Sequence, residues 1–276
     1  MDIYVPERFQ RKVLAHAITA SFFERYPLIL AIQGPPGDGK SSQVRHVLKR
    51  SGFAVITNSS ALLAGSFEAE PVRQLRDLYG RARDFASANK TQPPVILLED
   101  FDLSPAGREN GVRYTVNSQL LAAFLMNLAD DVASCEVGTT RRFPIFMTGN
   151  DFSLVHQPLT RPGRMNVFSW EPTDQERIDV IYAMLSIHIP KLERKDADRL
   201  SRQYKRFPIA FFDAAIMDCI ASEALRNVEI TGEIDFQHLQ RHFNNGFHVE
   251  LADLSDALRD RSDSSSAPRS FMRSRT

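Results

Sequence analysis

Residues Gly34 to Ser42 read GPPGDGKSS and follow the apolar run LILAI, Leu28 to Ile32. Gly34, Gly39, Lys40 and Ser41 match the pattern GxxxxGK[ST], whose chemistry demands one setting: a buried strand, a tight loop and a helix. The glycines let consecutive backbone N–H groups turn inward around phosphate oxygens, Lys40 reaches the terminal oxygens, and the Ser41 hydroxyl supplies a metal ligand. A helix starting near Lys40 adds its positive N-terminal end. The candidate phosphate-binding residues are therefore Gly34, Pro35, Pro36, Gly37, Asp38, Gly39, Lys40, Ser41 and Ser42.

The flanking sequence supplies that setting repeatedly. Apolar residues recur at helical spacing from Val5 to Tyr26, ahead of the first strand. SSQVRHVLK reads as the helix after the loop, and FAVITNSS reads as a second strand, which makes one βαβ unit. EPVRQLRDLYGRARDFASA, PPVILLEDFD, TVNSQLLAAFLMNLADDV and RFPIFMTGND then alternate as helix, strand, helix, strand. Such alternation predicts a parallel sheet covered on both faces. From Thr173 onward only helical patterns remain, in TDQERIDVIYAMLSIHI, DADRLSRQY, PIAFFDAAIMDCIASEALRNV and DFQHLQRHFNNGF. The expected organisation is an α/β nucleotide-binding domain over 1–171, a small all-helical domain over 172–258, and a disordered tail over 259–276 whose SDSSSAPRSFMRSRT lacks periodicity. Pro172 disfavours continuation of the preceding element, and Thr173 can cap the next helix.

Composition excludes several alternatives. Lys plus Arg and Asp plus Glu both total 34, so no global field favours nucleic acid or an anionic membrane. Cys135 and Cys219 are the only cysteines and show no metal-ligand spacing. The first residues lack an apolar signal core, and no run approaches the ~18 apolar residues of a membrane span. A cytoplasmic enzyme or chaperone is expected.

Three further segments carry chemistry. VILLEDFD ends an apolar strand on Glu99, Asp100 and Asp102, where a phosphate loop needs an acidic partner to hold magnesium and polarise water. TGN, Thr148 to Asn150, ends the strand PIFM and offers the Asn150 amide to orient an attacking water. LTRPGRM places Arg161 and Arg164 on a Pro-Gly turn, and guanidinium groups on a rigid loop suit phosphate recognition.

Taken in order, GPPGDGKS, VILLEDFD, MTGN and LTRPGR resemble the P-loop, Walker B, sensor 1 and arginine-finger segments of AAA+ ATPases. Three longer stretches, YTVNSQLLAAFLMNLAD, PIFMTGNDFSLVHQPLTRPGRMNVFSWEPTDQERI and PLILAIQGPPGDGKS, are similar to the Rubisco activase family of plants and cyanobacteria over most of residues 3 to 215. The resemblance implies a P-loop AAA+ fold with a helical lid, ATP and Mg2+ as cofactors, and a homo-oligomeric ring, usually a hexamer, with nucleotide between subunits. It assigns phosphate to Lys40, magnesium to Ser41 and Glu99, catalysis to Glu99, Asp100 and Asn150, and contact with the neighbour's γ-phosphate to Arg161 and Arg164. It also aligns LLAGSFEAEP with a pore loop, placing Phe67 as an aromatic that grips polypeptide. The implied function is a remodelling chaperone acting on a protein, with Rubisco and the release of inhibitory sugar phosphates as the candidate case.

The departures keep other readings open. Glu99 then Asp100 exchanges the usual Asp-Glu order, and Ile216 and Asp218 stand where relatives carry sensor 2 arginines. The loop LSPAGRENGVR differs from the family pattern, and the sequence begins almost at the AAA+ core, where plant members carry a separate Rubisco-engaging domain. A nucleotide-dependent assembly switch is the second reading. A DNA-processing motor is the third, with Arg141, Arg142 and the basic tail as its phosphate contacts.

Overall fold

Five short runs of β-branched and apolar residues pair in parallel in a computed structural model that describes residues 3–59, 69–101, 116–153, 155, 157–231, 234–244 and 247–266. They are β1 (Ile29–Gln33), β2 (Ala54–Ser59), β3 (Pro94–Glu99), β4 (Ile145–Thr148) and β5 (Met165–Ser169), in the order β2-β3-β4-β1-β5. Helices α1 (Glu7–Phe22), α2 (Lys40–Arg50), α3 (Glu70–Ala88) and α4 (Val116–Asp130) cover the sheet. Phe67, Asp102 and the loop 103–113 lie outside the described residues.

Strand alternation divides the side chains between two cores. Leu30, Ile32, Val95, Leu97 and Phe146 pack with Phe9, Val13, Val44 and Leu48 of α1 and α2. Ile29, Ala31, Ile96, Leu98, Ile145 and Met147 pack with Leu75, Leu78, Leu125 and Leu128 of α3 and α4. Both faces are therefore apolar, which is why these strands read as unbroken hydrophobic runs.

Strand β5 is an addition to the four strands expected from sequence. Among the described residues it pairs with β1 alone, from Ile29↔Met165 to Gln33↔Ser169, and lies at the sheet edge. Only Met165 of its five residues is fully buried, so MNVFS carries neither a continuous apolar run nor a clean alternation.

The chain divides into two compact units, Met1–Glu171 and Pro172–Thr276. The second contains α5 (Asp174–Leu185), α6 (Arg194–Gln203), α7 (Ala210–Thr231), α8 (Phe236–Asn244) and α9 (Leu251–Ser266) around its own core, which includes Ile181, Leu185, Leu200, Phe212 and Leu258. Thr173 opens this unit with a reciprocal cap: its hydroxyl accepts from the Glu176 amide at 3.2 Å, and the Glu176 carboxylate accepts from the Thr173 amide at 2.8 Å. Such boxes contribute about 1 kcal/mol.

The tail expected to be disordered from residue 259 needs correction as far as Ser266. Helix α9 runs through that point because Leu254 and Leu258 are fully buried and Arg261 pairs with Asp218 of α7. Serine and aspartate then occupy its remaining positions, which hid the helix in the sequence. Residues 267–276 lie outside the described residues.

His16 in α1 is buried behind β1, with Nε2 3.3 Å from the Leu28 carbonyl and its ring edge-on to Phe146. Burial lowers its pKa from 6.5 to about 3, so the folded chain keeps it neutral. Below pH 6.5 the unfolded chain takes up a proton that the folded chain refuses, and stability falls towards pH 3. The expected loss from this residue is about 2 kcal/mol at pH 5. Urea unfolding at pH 7 and pH 5 should show it as a pH slope steeper in the parent than in His16→Gln; equal slopes would refute the assignment.

Candidate active site

The carboxyl ends of β1, β3 and β4 lie side by side, and each delivers one part of the site. The loop after β1 is seated by two backbone bonds. Gly34 N–H donates to the Asn150 carbonyl at 3.2 Å, and Trp170 N–H donates to the Gln33 carbonyl at 2.6 Å. Gly34 has φ +154°, and a Cβ there would lie 2.0 Å from the Trp170 carbonyl oxygen, so only glycine fits. Gly39 adopts the left-handed region at φ +72° and leads into α2. Gln43 Nε2 donates to the Asp38 carbonyl at 3.0 Å and holds the crown of the loop against its helix.

The backbone N–H groups of Gly37, Gly39, Ser41 and Ser42 donate to no acceptor among the described residues. A loop of open amides beside a helix N-terminus is an anion cradle. Lys40 lies across it, nearly buried, with Nζ 2.8 Å from the Gly34 carbonyl, 2.7 Å from the Pro35 carbonyl and 3.4 Å from Asn150 Oδ1. These are oxygen acceptors for an ammonium, the same coordination that phosphate oxygens provide. Pro35 and Pro36 are exposed on the outside of the turn, and Ser42 is exposed on α2.

The candidate metal ligands differ in their fit. Ser41 Oγ is 2.7 Å from Thr148 Oγ1, a neutral pairing that leaves lone pairs for a cation. Magnesium takes oxygen ligands of this kind. Glu99 is otherwise engaged: one terminal nitrogen of Arg45 donates to both of its carboxylate oxygens at 2.6 Å. Asp100, the next residue, is exposed and sits at φ +52°, a left-handed conformation that aspartate tolerates better than most side chains. The sequence reading did not single out Arg45 or use the Thr148 hydroxyl; the available signal for Arg45 was its spacing, one helical turn after Ser41.

The two arginines expected to act together are in different states. Arg164 is clamped to Asp130 at the end of α4, with Nε to Oδ1 at 2.7 Å and Nη2 to Oδ2 at 2.6 Å, and it also donates to the Pro158 carbonyl at 2.8 Å. Arg161 is exposed on the same turn. Both line a cavity of about 650 Å3 together with Arg25, Asp130 and Arg142. Burial raises the Cys135 and Cys219 thiols, the latter to about 11, so both remain protonated near neutral pH. No helix among the described residues is long and apolar enough to cross a membrane.

A parallel sheet of this strand order, with a glycine loop after the interior strand β1 and polar residues at the ends of β3 and β4, defines a P-loop nucleotide-binding domain. The chain belongs to the AAA family of ATPases: the model of the ATPase family associated with various cellular activities matches residues 30–172. It is 32% identical over 237 residues to a ribulose bisphosphate carboxylase/oxygenase activase from Anabaena sp., covering 82% of this chain and 56% of that protein. To the chloroplastic activase of Arabidopsis thaliana it is 34% identical over 240 residues, covering 83% and 49%. The chain thus spans about half the length of the curated relatives it matches.

Proposed function

We propose that this protein binds ATP with magnesium at the loop of Gly34 to Ser42, hydrolyses it between adjacent copies of a ring, and spends the work on remodelling a protein partner. The observation that carries the reading is the cradle of open amides with Lys40 beside Asn150. Rubisco is the candidate partner, since the relatives that cover most of this chain are named as activases of that enzyme. In this reading Ser41 meets the magnesium, Asn150 orients the attacking water, and the exposed Arg161 serves the neighbour's nucleotide. Arg164 braces the turn that carries Arg161 through its clamp to Asp130.

Mixing two inactive variants tests the shared site. Lys40→Ala and Arg161→Ala proteins, each near baseline alone, form competent sites wherever an intact Lys40 meets an intact Arg161. Random mixing at equal amounts should restore about a quarter of parental turnover, because one interface in four has both. Phosphate release that stays at baseline in the mixture, or an Arg161→Ala protein fully active at high dilution, would remove the intersubunit site.

A second reading, a nucleotide-dependent assembly switch, draws on two observations. Ile216 is buried in the helical unit and Asp218 is paired with Arg261, so neither position presents a cation. Tight ATP binding without measurable turnover would select the switch.

A further inference from the structure

The carboxylate at the end of β3 faces α2 because of strand parity. Val95 and Leu97 share a core with Val44, Val47 and Leu48 of α2, and Glu99 continues that alternate series. Ser41 and Arg45 are four residues apart on α2 and so project from one face of it. Leu98 is level with Met147, so β3 leaves the sheet beside Thr148, the residue bonded to Ser41. Arg45 therefore reaches Glu99 at the point where a metal bound to Ser41 would seek a carboxylate. The ion pair is at contact distance and only partly open to water, with the side chains 40% and 18% exposed. One residue beyond the end of β3, Asp100 turns away from the strand direction through its positive φ and is exposed.

We propose that Arg45 is a positioning residue that holds Glu99 as a neutralised anchor between α2 and β3, so that Asp100 is the carboxylate facing magnesium and nucleotide. The inference rests on the nucleotide site proposed above and reverses the roles expected from the order Glu99-Asp100. Glu99 fastens the helix that begins at the phosphate loop to the strand that ends at the catalytic edge. An arginine is suited to the task because its guanidinium stays charged at every working pH and holds a carboxylate with directed hydrogen bonds.

The test has two readouts on the full chain. Calorimetric titration with AMP-PNP, in magnesium and in EDTA, measures how much the metal tightens nucleotide binding; thermal unfolding without nucleotide measures the anchor. Asp100→Asn is expected to lose at least about tenfold of the magnesium-dependent tightening, the scale of a lost metal contact. Glu99→Gln should keep that tightening and unfold earlier. Arg45→Gln should also unfold earlier, and the double variant Arg45→Gln/Glu99→Gln should be no less stable than the weaker single, the sign of a shared interaction. The exchanged pair Arg45→Glu/Glu99→Arg should recover stability while the magnesium tightening stays at the parental level.

Loss of the magnesium effect in Glu99→Gln with its retention in Asp100→Asn would overturn the proposal. So would additive stability losses in the Arg45/Glu99 cycle. A parent that binds no nucleotide in either buffer would refute the nucleotide site itself, while the stability cycle would still report whether Arg45 anchors Glu99.

Discussion

Lys40→Ala is expected to lower ATP turnover by about 100-fold or more, the scale found when one donor to developing phosphate charge is removed. The side chain is the only cation the loop itself carries, and Nζ already spans the carbonyls of Gly34 and Pro35 and the amide oxygen of Asn150. Alanine removes the charge and leaves the amide cradle in place. Nucleotide affinity should therefore weaken while the fold persists, since the three acceptors are near enough to solvent to be hydrated. Phosphate release at saturating ATP, with Kd measured separately, checks this. Turnover within about threefold of the parent would mean that Lys40 does not touch the reacting phosphate.

Gly34→Ala should be the most damaging single methyl in the nucleotide unit. The added carbon would stand 2.0 Å from the Trp170 carbonyl oxygen, a backbone atom that cannot rotate away. Either β5 separates from β1 at its Gln33↔Ser169 end or the phosphate loop opens. The expected cost is about 3 kcal/mol or more, with nucleotide binding lost alongside. Gly52→Ala is the matched control: it also has positive φ, at +83°, but nothing lies within 4 Å of its added carbon. That control should lose about 1 kcal/mol, the strain of the conformation alone. Equal losses in urea unfolding would show that the contact with Trp170 does not constrain the loop.

The central strands and the helices that cover them were legible because both faces of the sheet are buried, which writes uninterrupted apolar runs such as LILAI and VILLE into the chain. The phosphate loop was legible because its backbone geometry restricts residue type at Gly34 and Gly39. The edge strand β5 escaped detection for the opposite reason, having one buried residue in five. Helix α9 escaped because two leucines and a paired arginine anchor a helix whose other face is serine and aspartate. In the site, residue types marked Lys40, Ser41, Glu99, Asn150 and the arginine turn. Partnership was not marked: which carboxylate Arg45 takes, and that Asp130 takes Arg164 while Arg161 is left exposed, depend on parity between elements distant in sequence.

Trp170 is the only tryptophan in the chain, and it is fully buried where β5 ends against the first glycine of the loop. Its amide holds Gln33 and its carbonyl abuts Gly34, so the indole is attached by two backbone contacts to the joint where β1 becomes the phosphate loop. All indole emission from the protein consequently originates at that joint. The molecule carries its own optical gauge of the loop, readable in stopped flow without a dye.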